Sequence, residues 1–186
     1  MKFTDKYFEA VDLIDLAYRG KLDAPHHLDQ DGVQAFMTED RVLVIPGTEG
    51  LRDWADNVNV GWGATKPWHN GFFRQALIIY NWLKEYGLDP AWGTGHSLGG
   101  ASGQIVFYSL KKPAIFFGAP KPLAPNYRAK ADQTQIILRT DDLIGKVPRK
   151  FRHVGKVIRL KPKKHHWGED HRIDKYRFIM KEANKG

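Results

Sequence analysis

Apolar positions near the start of the chain follow a helical period: Tyr7, Val11, Ile14 and Tyr18, with Gly20 behind them as a stop. The pattern then shortens. Residues 33–38 and 41–45 read as two strands joined by the polar turn Glu39-Asp40, and Pro46-Gly47-Thr48 ends the second. Leu51, Trp54, Ala55 and Val58 share one face of a short amphipathic helix. Phe72, Ala76, Ile79 and Leu83 mark a longer helix, closed by Gly87 and Pro90. Residues 98–110 form a further helix, and the apolar run 114–117 reads as a buried parallel strand. A proline-broken loop at 120–125 leads to a strand at 135–139 and the turn Thr140-Asp141-Asp142. Residues 156–160 give one more strand, and Ile173, Tyr176 and Met180 a terminal helix. Alternating strands and helices of this kind predict an α/β fold, a mostly parallel sheet covered on both faces.

Composition fits that picture and narrows it. Apolar residues make up 42% of the 186, enough for a real core, and 6 Trp, 7 Tyr and 10 Phe argue against disorder. One domain over residues 1–186 is expected at this length. No apolar run reaches membrane-spanning length, and the start Met1-Lys2-Phe3-Thr4-Asp5-Lys6 is charged, so the expected location is the cytoplasm. The absence of cysteine excludes disulfides and thiolate metal sites. The net charge of +8 is concentrated: residues 145–164 carry nine Lys or Arg and no acidic residue. Such a stretch is either a solvated face or a surface for anionic partners.

The chemistry centres on Gly95-His96-Ser97-Leu98-Gly99. Gly-x-Ser-x-Gly is the pattern of a nucleophile elbow, a sharp strand-to-helix turn that lifts a serine hydroxyl above the sheet edge. It makes residues 92–95 a strand despite their glycines. A serine hydroxyl is a poor nucleophile at neutral pH and needs a base, which in turn needs an orienting acid. On this type of fold the chain order is serine, acid, histidine. Asp141 and Asp142 follow a strand at the right place for the acid. His165, His166 and His171 are available as the base. The backbone N–H of Leu98, the residue after the nucleophile, is the first expected oxyanion donor.

Several stretches, in order, resemble the class 3 lipases, α/β-hydrolases that include the fungal triacylglycerol lipases. Gly95-His96-Ser97-Leu98-Gly99-Gly100-Ala101 is similar to the family's elbow. Val44-Ile45-Pro46-Gly47-Thr48, followed by Asp53-Trp54-Ala55-Asp56-Asn57, resembles its oxyanion segment. His69-Asn70-Gly71-Phe72 and Phe117-Gly118-Ala119-Pro120 resemble two further stretches. Residues 141–148 resemble the acid loop and 170–176 the His-x-x-x-x-Tyr end. The resemblance covers most of residues 33–178. It implies a Ser97, Asp142, His171 triad and Thr48 as second oxyanion donor, and an ester or lipid substrate cleaved by a monomer without cofactor. Two positions depart from the family: Pro46 stands where an arginine is usual, and Gly145 where a proline is.

Residues 48–60 align with the family's lid, so Leu51, Trp54 and Val58 either cover an acyl pocket or pack on the core. Trp62, Trp68 and Trp167 are candidates for its entrance. His96 and His69 are expected to be packed rather than catalytic. The spacing of His165, His166, Glu169, Asp170 and His171 fits no common metal site. The basic stretch makes an anionic membrane surface a candidate partner, and no specific nucleic acid is expected. The same residues would serve an acyltransferase or a thioesterase. A non-catalytic module that holds anionic surfaces or nucleic acid through residues 145–164 is the reading from a different class.

Overall fold

The computed structural model describes residues 2–47, 67–163 and 171–185. The expected helix at 51–58, Thr48, and His165 and His166 lie outside them.

The described residues form one seven-stranded sheet whose spatial order is the chain order. β1 (His26–Gln30), β2 (Val33–Met37) and β3 (Val42–Ile45) are antiparallel neighbours. β4 (Trp92–His96), β5 (Ala114–Phe117), β6 (Thr134–Arg139) and β7 (Lys156–Leu160) then run parallel to β3. Four helices accompany them: α1 (Asp5–Tyr18), α2 (Asn70–Glu85), α3 (Ser97–Leu110) and α4 (Ile173–Lys185). This is the mostly parallel α/β sheet that the hydrophobic pattern predicts.

The order of the strands dictates where the helices sit. Parallel crossovers are right-handed, so a sheet that always grows in one direction keeps its crossover helices on one face. α2 and α3 are those helices. They pack on Leu43, Ile45, Phe116, Ile136 and Leu138. The opposite face is left for the ends of the chain, and α1 and α4 cover Val42, Val44, Ile115, Phe117 and Ile137. Successive residues of β3, β5 and β6 thus feed opposite cores, which is why these strands are apolar without interruption. The two end helices are also clasped to each other. Asn184 accepts a hydrogen bond from the Phe3 N–H at 2.7 Å and donates one to the Phe3 carbonyl at 2.8 Å.

β1 is not predicted by the sequence pattern. Its side chains His26, His27, Leu28, Asp29 and Gln30 bury only Leu28. Its signal is the turn instead: Asp31 and Gly32 have φ of 51° and 73°, the paired left-handed geometry of a tight hairpin. The other differences are at element ends. α3 begins at Ser97 rather than Leu98, and β2 stops at Met37. Among the described residues no helix is long and apolar enough to cross a membrane.

Candidate active site

The parallel strands β3 to β6 deliver four chain segments to one edge of the sheet, at their carboxyl ends. β4 delivers Ser97. The serine has φ +56°, the left-handed region that a side chain rarely enters. It is held there because α3 leaves the sheet almost on top of β3. A Cβ on Gly99 would lie 2.2 Å from the Ile45 carbonyl oxygen, and one on Gly95 2.7 Å from the same atom. Neither glycine can be larger while this turn exists. β3 delivers Gly47, where a Cβ would meet the Ser97 Cβ at 2.9 Å. The elbow helix is fixed further along by Gln104, which is fully buried. Its amide donates to the Pro120 carbonyl at 3.2 Å and accepts the Val154 N–H at 3.0 Å.

β6 delivers the two aspartates, and the structure separates them. Asp141 faces Arg139 in a two-point ion pair, Nε to Oδ1 at 3.1 Å and Nη2 to Oδ2 at 2.8 Å. Asp142 turns the other way and is 2% exposed. Its Oδ1 accepts the Ile144 N–H at 2.9 Å, and its Oδ2 accepts the Tyr176 hydroxyl at 2.5 Å. The same Oδ2 lies 2.7 Å from His171 Nδ1. A carboxylate can only accept, so the ring proton sits on Nδ1 and Nε2 keeps its lone pair. β5 delivers Gly118, at φ +54°, against this pair. A Cβ there would lie 3.0 Å from the His171 ring and 3.1 Å from Asp142 Oδ2.

His171 is tied to the elbow through the residue before the serine. His96 Nε2 donates to the His171 carbonyl at 2.7 Å, and the two rings lie 4.5 Å apart, centre to centre. His96 Nδ1 then accepts the Tyr18 hydroxyl proton at 2.7 Å, and the Tyr18 oxygen accepts the Gly47 N–H at 2.8 Å. Every donor in this chain meets an acceptor only if His96 is neutral, with its proton on Nε2. Burial and the neighbouring His171 do hold its pKa well below the ordinary histidine value. Burial raises the Tyr18 phenol far above its usual range, and it pushes Tyr176 the same way with help from Asp142. Both hydroxyls therefore remain donors.

Two buried polar atoms at this edge, Ser97 Oγ and His171 Nε2, have no hydrogen-bond partner among the described residues. The same holds for Thr94 Oγ1, Thr134 Oγ1 and His153 Nδ1 elsewhere among the described residues, so what sets Ser97 and His171 apart is their place at this edge. Leu98 is the second residue of α3, and N–H groups in the first turn of a helix have no acceptor within it. His69 packs as expected, at the start of α2 with Phe72 and Phe151 around its ring. Trp68 lies edge-on against Tyr108, 5.4 Å between ring centres, and packs on the α2–α3 core. Leu51, Trp54, Val58 and Trp62 fall outside the described residues, as does Trp167. Among the described residues there is no cluster of three or more potential metal ligands.

The likeness to known proteins is in three dimensions; neither a family model nor a curated protein matches the sequence. The Lip2 lipase of Yarrowia lipolytica superposes with a TM-score of 0.60 at 14% identity, over 91% of this chain and 84% of that one. Lipase II of Rhizopus niveus gives 0.57 at 14% identity, over 91% and 84% of the two chains. A triacylglycerol lipase from Penicillium expansum gives 0.56 at 15%, over 83% and 78%. The chain has the α/β-hydrolase fold of the fungal lipases. The resemblance to class 3 lipases read from the sequence is thus matched by the fold. At this identity the likeness reaches the fold and stops there.

Proposed function

We propose that the protein is a serine hydrolase that cleaves carboxylic esters through an acyl-enzyme on Ser97. The observation that carries this reading is the left-handed Ser97 at the end of β4, on the same edge as a histidine whose Nδ1 is bonded to a buried aspartate. In the reaction His171 Nε2 takes the Ser97 proton as Oγ attacks the ester carbonyl carbon. The oxyanion is met by the Leu98 N–H and by Thr48. The carbon–oxygen bond to the alcohol then breaks, and the alcohol leaves with the proton from Nε2. Water repeats the sequence in reverse and frees the acid and Ser97. Asp142 keeps the imidazole in its Nδ1–H form and stabilises its charge while it holds the extra proton. Losing one oxyanion donor costs about 10²–10³ in turnover. Leu51, Trp54 and Val58 are proposed to border the acyl chain.

The test is a series of p-nitrophenyl esters of increasing chain length, run with Ser97→Ala, Asp142→Asn and His171→Ala. Wild type is expected to exceed Ser97→Ala by about 10⁴-fold or more on its best ester. A fluorophosphonate probe should attach at Ser97 alone. Equal rates for wild type and Ser97→Ala on every ester would end the proposal.

A further inference from the structure

Beside the acid loop, on the side away from β4, lies a recess of about 200 Å³ whose lining includes Lys121, Leu138, Arg139, Asp142, Lys146 and Arg159. Its walls are set by backbone contacts. The Lys121 N–H donates to the Val147 carbonyl at 2.8 Å. Arg159 on β7 stands opposite Leu138 on β6, and Lys146 closes the short 3₁₀ turn Ile144–Lys146.

The charges in this recess do not cancel. Some cationic side chains of the described residues reach carboxylates: Arg19 pairs with Asp15, Arg41 and Lys112 with Asp89, Lys130 with Asp132. Within the recess Arg139 has Asp141. Lys121, Lys146 and Arg159 have no carboxylate partner among the described residues. The one carboxylate that borders them, Asp142, already accepts from His171, Tyr176 and Ile144. The recess therefore holds two formal positive charges in excess. Their proximity is felt: burial and the Arg159 charge push the Lys121 pKa down. His153, which also faces Lys121 and Arg159, is kept uncharged by burial, its pKa lowered to about 4, and adds nothing to the excess.

We propose that this recess binds a phosphate monoester group, and that the esters cleaved at Ser97 carry one. A phosphate monoester brings close to two negative charges at neutral pH and several acceptor oxygens, which match the excess and the mix of Lys and Arg donors. The volume lies below the range of sites that enclose drug-sized ligands, so it suits a headgroup and not an acyl chain. The recess shares its wall with the loop that carries Asp142. A phosphate held there anchors its molecule on the same sheet edge as the serine. This substrate assignment rests on the hydrolase reading.

The test compares dihexanoyl phosphatidic acid with dihexanoyl phosphatidylcholine, both below their micelle limits, with p-nitrophenyl butyrate as the uncharged control. Wild type should show kcat/KM at least about tenfold higher on the phosphatidic acid. The double variant Lys121→Gln/Arg159→Gln should lose that preference and keep its p-nitrophenyl butyrate rate within about twofold. Inorganic phosphate should raise KM for the phosphatidic acid and leave p-nitrophenyl butyrate unaffected. Equal kcat/KM on the two lipids overturns the proposal, as does a preference that survives in the double variant. Inorganic phosphate that changes p-nitrophenyl butyrate turnover only when Lys121 and Arg159 are present would make the recess an effector site and also overturn it. A wild type no faster than Ser97→Ala on p-nitrophenyl butyrate fails the hydrolase reading and the substrate assignment with it. The recess alone is then judged by whether inorganic phosphate raises the melting temperature of wild type but not of the double variant.

Discussion

On the α2–α3 face of the sheet, the site is held by the lack of side chains. Gly95 and Gly99 let backbone meet backbone at β3, and only further along does a polar side chain, Gln104, fix the helix. On the α1–α4 face it is held by two tyrosines. Tyr18 reaches from the end of α1 to His96 and the Gly47 N–H, and Tyr176 reaches from α4 to Asp142. The first mechanism is steric and all-or-none. The second consists of hydrogen bonds that can be removed singly. Ser97 depends on the first, and Asp142 and His171 depend on the second.

The sharpest way to break this contrast is Gly99→Ala. The added carbon would sit 2.2 Å from a β3 carbonyl oxygen, and overpacking against backbone should cost more than about 3 kcal/mol. Urea denaturation would register it, and a soluble, active Gly99→Ala protein would show that the turn tolerates what its geometry forbids. Tyr176→Phe should come next. It removes one donor from the buried Asp142 carboxylate, worth about 2 kcal/mol for a bond to a charged group. The expected result is a lower kcat with KM little changed. Tyr18→Phe removes a neutral donor one step further from the reaction and should cost about 1 kcal/mol. If Tyr18→Phe proved worse for kcat than Tyr176→Phe, the chain through His96 would matter more to the base than the aspartate's own bonds.

The smallest effect per group is one of pH. His96 and His153 have folded pKa values below the unfolded value, that of His153 about 4. The unfolded chain therefore takes up protons that the folded one refuses. Stability is full above the unfolded histidine pKa and falls as the pH drops below it. Each of the two should cost about 0.7 kcal/mol between pH 7 and pH 6. Urea midpoints at those two pH values measure the sum. His153→Gln should remove about half of the slope, and an unchanged slope would assign it to other groups.

Much of the sheet was legible in the sequence because central parallel strands are apolar on both faces, as in residues 114–117 and 136–138. β1 was not, because a two-residue turn carries its signal and only Leu28 is buried in it. The resemblance pointed to Asp142 and His171, and their hydrogen bond agrees with it. Spacing alone left Asp141 and Asp142 equal. What divides them is Arg139, which claims Asp141 two residues away. The Tyr18 hydroxyl was the hardest to foresee. In the helical pattern Tyr18 is one more apolar position, and it is 42% exposed. Its partner is 78 residues away in the chain, and no local pattern encodes such a contact.

The clasp between Phe3 and Asn184 has a consequence for biosynthesis. Ribosomes release the chain from its amino end, so α1 and the parallel strands emerge while α4 is still unmade. Until α4 has left the tunnel, the α1–α4 face has only α1 to cover it and Asp142 lacks the Tyr176 hydroxyl. A nascent chain stalled before residue 171 would already possess the serine turn yet lack His171, so the proposed activity should begin only once α4 has been made.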